Sequence, residues 1–342
     1  MRLSSLFVIR DKASPELLSL LEATTLGTNG AIYRHLDTPL RIHEIDNPLF
    51  LSMERNGKTL GNITFCRRGE HWYIRYFAFA SFLQAGNVPG KPAKSNNLLK
   101  QQIEAFFREK LEGEGNKKPE VSSFYAYIDT RNDRSRWMSE HFGFKTVAQL
   151  ATQTFSRVKP RYGKRLRRIE DVSMISDLLD THFGTHRYFD KTGYERIPCY
   201  AIYSGIGEIL AFTRISAARW EISRLPGKYG KILTKLIPYI PVLRKLIYPP
   251  EHTFLVPDSV YVRDHNPQLL EELLEGILAE TQHKLMLWWT DREEPLYKSV
   301  RTAVHWGLVH SLTGVTEIDV VMRGETGTGN MLPCYVKGID LI

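Results

Sequence analysis

The sequence predicts an α/β protein built from two domains. The chain has 342 residues, which favours two domains over one. Strand-like segments rich in β-branched and aromatic residues alternate with amphipathic helical segments along the whole chain, which is the α/β pattern. The order of these segments in the second half is similar to the order in the first. We therefore expect two copies of one fold in tandem.

Local signals define the elements of the first half. Ser14 is a natural N-cap and Pro15 suits a first helical position, so a helix is predicted after the first strand. Asn56-Gly57 predicts a hairpin turn, because both residues tolerate positive φ. The predicted elements are a strand over 5–10, a helix over 14–24, a hairpin over 49–68, a strand over 71–83, a helix over 98–115, a strand over 122–129, a helix over 132–144 and a strand over 145–158.

A basic segment over 159–171 separates the halves. It contains Pro and Gly and lacks apolar periodicity, so we interpret it as a linker between an N-terminal domain, 1–158, and a C-terminal domain, 172–342. The second half then repeats the pattern of the first. Its predicted elements are a helix over 170–183, a hairpin over 199–216, a strand over 258–264, a helix over 266–281, a strand over 284–291, a helix over 295–308 and a strand over 316–324.

An insertion over 227–250 mixes basic with apolar residues and carries Pro238 and Pro241. One interpretation is peripheral contact with a membrane surface or an acyl chain. The other is a Pro-kinked insertion that packs its Leu and Ile residues on its own domain. The sequence favours the packing interpretation.

Composition limits the class of partner and the location. The formal charge of +8 and the pI of about 9.2 suit anionic partners, namely nucleotide phosphates, nucleic acid or an anionic membrane, without choosing among them. The three cysteines, Cys66, Cys199 and Cys334, are far apart, which favours buried thiols over disulfides or a zinc site. No metal-ligand spacing exists among the eleven histidines. The N-terminus lacks a signal peptide and no apolar stretch approaches bilayer length, so we predict a cytoplasmic protein without a metal.

The segment over 132–144 resembles a helix of the GNAT acyltransferase superfamily. That helix follows the fifth strand and often reads Asn-x-x-Ala-x-x-Leu-Tyr-Glu-Lys-x-Gly-Phe. Here Asn, Glu, Gly and Phe match, as Asn132, Glu140, Gly143 and Phe144, and the substituted positions are Ser135, Met138, Ser139 and His141. The resemblance implies two tandem GNAT-like domains, each a mixed, mostly antiparallel twisted sheet flanked by helices. Asn132 would face the pantetheine arm of coenzyme A or cap the helix, and Gly143 would end the helix.

The resemblance also implies a cofactor site. The family binds the pyrophosphate of coenzyme A at a Gly-rich loop before its central helix, and the aligned loop here is 90–95. The residues implied in cofactor binding are Phe79, Ala80, Lys91, Ala93, Lys94, Ser95, Asn96 and Asn132. Backbone N–H groups near Phe79 and Ala80 would bind the pantetheine amides and the oxyanion that develops on the thioester. Ala93 and Ser95 stand where glycines usually do and Pro92 lacks an N–H, so a solvated surface loop is the alternative. No cradle is visible before the helix over 266–281.

Tyr297 is the candidate catalytic residue. Thr290, Leu296 and Tyr297 repeat the family's Asn, Leu and Tyr spacing, and in that family the Tyr commonly protonates the departing thiolate. A structural tyrosine is the alternative interpretation.

Three functional hypotheses follow. The leading one is an acyl-CoA-dependent N-acyltransferase, which moves an acetyl or other acyl group to a small-molecule or peptide amine. The second is an aminoacyl-tRNA-dependent, Fem-type transferase, because the basic charge suits tRNA. The third is a catalytically inactive GNAT-like module that binds a ligand.

Overall fold

The structure is a computed structural model that describes residues 6–27, 30–80, 97–113, 118–324 and 332–341. The chain separates into two compact units. Unit 1 comprises 1–25, 38–147 and 319–329, and unit 2 comprises 26–37, 148–318 and 330–342. Each unit therefore takes in a segment from the other half of the sequence. The domain boundary drawn at 159–171 stays a prediction.

Strands and helices alternate in the described residues. The strands are β1 (Phe7–Arg10), β2 (Ile32–His35), β3 (Pro48–Arg55), β4 (Lys58–Arg68), β5 (His71–Phe79), β6 (Ser123–Asp129), β7 (Lys145–Ser156), β8 (Leu166–Ile169), β9 (Cys199–Tyr203), β10 (Ile209–Arg224), β11 (His252–Val262), β12 (Leu285–Asp291) and β13 (Thr316–Gly324). The α-helices are α1 (Pro15–Glu22), α2 (Thr38–His43), α3 (Asn97–Glu112), α4 (Asp133–His141), α5 (Val172–Phe183), α6 (Gly230–Leu236), α7 (Pro241–Leu246), α8 (Pro267–Glu280), α9 (Pro295–Val300) and α10 (Leu308–Thr313).

The local signals of the first half act as predicted. The Ser14 hydroxyl accepts a hydrogen bond from Leu17 N at 3.2 Å and so caps α1. Asn56 and Gly57 have φ values of 51° and 73°, so the turn between β3 and β4 uses both positive-φ positions. The helix and hairpin predicted there are confirmed.

The sheet of unit 1 has the strand order β1-β3-β4-β5-β6-β13, where β13 enters the unit at Asp319. The pairs β1–β3, β3–β4 and β4–β5 are antiparallel, and β5–β6 is parallel. Helix α3 packs Phe106 and Phe107 against Phe65 and Phe124 of the sheet, with ring centroids 4.9–6.1 Å apart. This buried aromatic cluster holds β5 and β6 in place, and these two strands border the candidate site described below.

The sheet of unit 2 repeats this plan. Its order is β7-β12-β11-β10-β9-β8, with β2 paired to the far end of β10. The registered pairs are antiparallel except β11–β12, which is parallel. Helix α8 buries Leu270, Leu273, Leu274 and Ile277 in the core of this unit. In each unit a hairpin, a third strand, a helix and a parallel fourth strand follow one another, as two copies of one fold require.

Three segments differ from the sequence-based expectation. Leu166–Ile169, inside the predicted linker, forms β8 and pairs with β9; the exposed Arg167 and Arg168 hide the alternation that signals a strand. Ile32–His35 forms β2, which is too short to stand out in sequence. The helix predicted over 295–308 ends at Val300, and a separate helix, α10, begins at Leu308 with Gly307, at a φ of 96°, as its N-cap.

Candidate functional site

The opening in unit 1 lies where β5 and β6 part. Their parallel register consists of His71↔Ser123, Trp72↔Phe124 and Tyr73↔Tyr125. Beyond Tyr73 strand β5 continues to Phe79, and beyond Tyr125 strand β6 continues to Asp129. The described register contains no pairs between these two extensions, so the two strands part beyond Tyr73 and Tyr125.

A β-bulge lies beside this opening. The pairing of β4 with β5 runs Thr64↔Tyr76 and then Phe65↔Ile74, which leaves Arg75 as an extra residue in β5. A bulge turns the peptide groups of its strand out of the regular ladder. The bulge and the end of the β5–β6 register are two residues apart, so the distortion acts where the strands separate.

The predicted cofactor residues at the end of β5 are engaged in the sheet. Phe79 pairs with Gly61, where a Cβ would lie only 2.2 Å from Cδ1 of the Phe79 ring. The N–H of Ala80 donates to Leu60 O at 2.8 Å. The ring of Phe79 therefore covers Gly61, and the amide of Ala80 is already hydrogen-bonded to strand β4.

The predicted phosphate loop precedes α3. Lys91, Ala93, Lys94, Ser95 and Asn96 lie outside the described residues. The helix that follows is long, beginning at Asn97 and ending at Glu112. The N-terminus of such a helix carries partial positive charge and suits an anion.

Asn132 is the N-cap of α4. Its side-chain Oδ1 accepts a hydrogen bond from Ser135 N at 3.1 Å, so this atom caps the helix. Gly143, just after the helix, has a φ of 74°, the left-handed conformation predicted for the helix end. The Arg323 guanidinium donates to Phe142 O at 2.8 Å and satisfies one of the terminal carbonyls. The Asn132 cap and the Gly143 stop are thus confirmed as structural devices.

Strands β11 and β12 of unit 2 also part, but the 334–338 segment bonds to both of them there: Cys334 N donates to Asp291 Oδ2 and Gly338 N donates to Asp258 Oδ2, each at 2.8 Å. Strands β11 and β12 are registered at Leu255↔Met286, and β11 continues to Val262. The pairing of β10 with β11 shifts between Phe212↔Tyr261 and Arg214↔Asp258, which gives β11 an extra residue. Ser259, within this bulge, has a φ of 50°, which is strained for a residue other than glycine.

A small cavity of about 30 Å³ lies beside the second bulge, with room for about two water molecules. Its lining combines apolar groups with several polar side chains. The polar and titratable lining residues are His186, Ser259, Thr290, Glu294, Cys334 and Tyr335. Thr290, one of the three residues that suggested the family spacing, lies in this lining, whereas Tyr297 does not.

His186 and Glu294 form a pair in this cavity. The His186 Nε2 atom lies 2.9 Å from Glu294 Oε2, and both side chains are mostly buried. His186 Nδ1 is also buried and has no hydrogen-bond partner among the described residues. In the tautomer that donates from Nε2 to the carboxylate, Nδ1 carries the lone pair that a general base needs.

A buried ion pair lies next to the bulge and is hydrogen-bonded to it. Arg214, fully buried, donates from Nε to Asp258 Oδ1 at 2.8 Å and from Nη2 to the Tyr335 hydroxyl at 2.8 Å. The Ser259 hydroxyl donates to the same Asp258 oxygen at 2.9 Å. Burial acts to lower the pKa of Arg214, but the charge of Asp258 and its hydrogen bond outweigh burial and raise it. The guanidinium therefore stays charged and holds Ser259 and Tyr335 in place.

The cysteine and tyrosine side chains that line the cavity are not in the ionised form that a nucleophile needs. Burial and the nearby Asp291 carboxylate raise the pKa of Cys334, so its thiol is protonated at neutral pH. Burial raises the pKa of the Tyr335 hydroxyl as well. Cys66, Cys199 and Cys334 are buried free thiols, as the sequence predicts. In the described part of the chain no group of His, Cys, Asp or Glu residues has a metal-binding arrangement.

The helix N-terminus of unit 2 does not offer a phosphate cradle. The Asn266 side chain accepts from Gln268 N at 2.9 Å and from Leu269 N at 3.2 Å. These bonds satisfy amides that a phosphate would otherwise use. Only a short 3₁₀ turn, Arg263–His265, lies between β11 and this cap, so the absence of a loop expected from sequence is confirmed for these described residues.

Tyr297 is a buried residue of α9, with 5% of its surface exposed. Its role as a general acid stays a prediction. Sequence reasoning missed His186, Glu294 and Ser259. His186 and Glu294 are 108 residues apart and belong to no spaced motif, so only the fold brings them together.

Known structures share this fold. No protein-family model matches the sequence, and no curated protein matches it. The chain is similar to Saccharomyces cerevisiae N-myristoyltransferase with bound myristoyl-CoA, at 9% identity and a TM-score of 0.55, covering 95% of this chain and 80% of that chain. It is also similar to a tandem GNAT protein from the clavulanic acid biosynthesis pathway, at 8% identity and a TM-score of 0.52, covering 94% and 100%. These likenesses confirm the predicted tandem GNAT fold and, at such low identity, concern the fold alone.

No helix in the described ranges is both long and apolar enough to cross a membrane.

Proposed function

We propose that this chain, which has the tandem GNAT fold, is an acyl-CoA-dependent N-acyltransferase that binds its acyl-CoA in the opening of unit 1. The observation that carries this proposal is the parting of β5 and β6 after Tyr73 and Tyr125, beside the bulge at Arg75 and ahead of α3. The neighbour with bound myristoyl-CoA and the tandem GNAT neighbour support the same class of donor.

The opening matches the chemistry of the pantetheine arm. That arm carries two amide groups and is extended, so it can bond to open strand edges as an added strand does. The strand segments proposed to face the arm are 74–79 of β5 and 126–129 of β6. The pyrophosphate would then bind near the start of α3, with Lys91 and Lys94 as point charges and the amides around Ala93, Ser95 and Asn96 as donors.

The reaction places three demands on the protein. The acceptor amine must lose a proton, the thioester oxygen must be stabilised as negative charge develops on it, and the thiolate must gain a proton. Because the Ala80 amide already donates to Leu60 O, we assign oxyanion stabilisation to the peptide groups of the Arg75 bulge. His186, oriented by Glu294, has the chemistry of a base in the cavity of unit 2 and is not assigned to the reaction in unit 1. Tyr297, also in unit 2, stays the acid predicted from the sequence.

Binding of acyl-CoA is the first test. Thermal unfolding is measured with acetyl-CoA, with a medium-chain acyl-CoA and with myristoyl-CoA. A ligand at about 100 times its dissociation constant adds about 2.7 kcal/mol, or roughly 5–10 °C in the melting temperature of a unit of this size. The chain length that gives the largest shift identifies the donor.

A charge-reversal pair locates the site. Lys91→Glu with Lys94→Glu is expected to abolish the shift, because both charges are proposed to contact the pyrophosphate. Lys12→Glu with Lys145→Glu changes the net charge equally at exposed positions of unit 1 and is expected to leave the shift intact. No shift with any acyl-CoA would contradict the proposal. Salt-dependent binding of tRNA would then favour the aminoacyl-tRNA hypothesis, and binding of neither would favour the inactive module.

A further inference from the structure

The insertion over 227–250 exposes apolar side chains that the sequence alone led us to expect in a packed core. Eight large apolar residues in it are at least 40% exposed, and Tyr239 reaches 83%. They are Tyr229, Ile232, Leu233, Leu236, Tyr239, Ile240, Val242 and Tyr248. Packing on the domain accounts for Ile237 and Leu246, which are buried. Exposed apolar clusters of this size mark surfaces that meet something other than water.

Helix α6 separates its residues into a buried face and an exposed apolar face. At about 100° per residue, Gly230 and Thr234 share the buried face, which the buried Ile237 continues just after the helix. Thr234 accepts a hydrogen bond from Leu225 N at 2.9 Å, which fixes that face on the end of β10. Ile232, Leu233 and Leu236 then lie on a different face, directed away from the protein.

Basic residues border this apolar face. Lys228, Lys231, Lys235, Arg244 and Lys245 are all exposed, and the segment over 227–250 contains no acidic residue. In the described chain none of these five cations pairs with a carboxylate; Lys228 and Arg244 lie instead over the rings of Tyr229 and Tyr248, at 5.9 and 5.8 Å. Their charge is therefore available to an external anion.

We propose that the segment over 227–250 is a docking surface for an anionic lipid bilayer. Apolar side chains flanked by lysine and arginine, with tyrosines between them, fit the boundary between head groups and acyl chains. Long basic side chains reach the lipid phosphates while their stems lie on apolar surface. A protein interface of comparable apolar content has fewer lysines, so charge favours the bilayer over a second copy of the chain.

Vesicle co-sedimentation tests the proposal with the full chain. The probes are phosphatidylcholine vesicles and vesicles of phosphatidylcholine with phosphatidylserine at about three to one. The chain is expected to sediment with the anionic vesicles, to do so less at high salt, and to stay in solution with phosphatidylcholine alone.

Two pairs of variants assign the binding to this surface. Lys231→Gln with Lys235→Gln is expected to weaken binding about 25-fold, since one basic residue near an anionic surface contributes about fivefold. Ile232→Ser with Leu236→Ser is expected to weaken it without changing its salt dependence. The matched controls are Lys12→Gln with Lys145→Gln for charge and Ile206→Ser with Leu312→Ser for exposed apolar residues. Both control pairs are expected to bind as the natural chain does.

Two results would overturn the proposal. One is the absence of binding to the anionic vesicles, or binding that the surface variants leave unchanged. The other is a concentration-dependent dimer that Ile232→Ser with Leu236→Ser abolishes, which would assign the surface to a second copy. Acyl-CoA binding is measured separately, so failure of this inference leaves the proposed function untouched.

Discussion

The substitution Asp258→Asn removes one charge from the buried pair beneath the bulge of unit 2. Arg214 and Asp258 have side-chain exposures of 0% and 1%, so water does not screen their interaction. Asp258 accepts hydrogen bonds from Arg214 Nε, Ser259 Oγ and Gly338 N at 2.8–2.9 Å. Leaving a buried guanidinium without its counter-charge costs about 3–5 kcal/mol. Because asparagine keeps one oxygen as an acceptor, we expect the lower part of that range.

The measurement is urea unfolding followed by tryptophan fluorescence, fitted to the transition of unit 2. Asp177→Asn, an exposed position on α5, is the matched control and is expected to change the unfolding free energy by less than about 0.5 kcal/mol. The double variant Arg214→Met with Asp258→Val removes both charges at similar volume and is expected to be more stable than Asp258→Asn. A loss below about 1 kcal/mol for Asp258→Asn, or additive losses in the double variant, would show that the buried charge pair does not stabilise unit 2 in this way.

Two further predictions concern a turn and the pH dependence of stability. Gly143→Ala, at a φ of 74°, is expected to destabilise unit 1 by about 1 kcal/mol in chemical denaturation, while Gly205→Ala, in open space, has no such effect. Burial lowers the pKa of His252 to about 4, so below the unfolded-state pKa of about 6.5 the unfolded chain binds the proton first. Stability is therefore expected to fall by roughly 2–3 kcal/mol as the pH falls from about 6.5 to 4, and His252→Phe should flatten that slope.

Local signals made much of the fold predictable. A capping side chain or a positive-φ glycine acts within a few residues, so the sequence places Ser14, Asn132 and Gly143 correctly at helix ends. The order of strands and helices also follows from periodicity. Short β8 is missed because its Arg167 and Arg168 are exposed and its partner β9 lies far along the chain.

The candidate site depends on relations between distant segments. The bulges at Arg75 and Ser259 exist because one strand has an extra residue relative to its neighbour, which no single stretch of sequence reveals. The contact of His186 with Glu294 likewise requires the folded unit. Periodicity shows that α6 has an apolar face, but it cannot show whether another element covers that face.

Amide hydrogen exchange on the full chain tests the central claim, that acyl-CoA lies in the opening of unit 1. With a saturating acyl-CoA, we expect slower exchange in 74–80 and 126–129 and at the start of α3, and no such protection in the variant Lys91→Glu with Lys94→Glu. Protection confined to β11 and β12 of unit 2, or unchanged exchange throughout unit 1 while the ligand is bound, would contradict it.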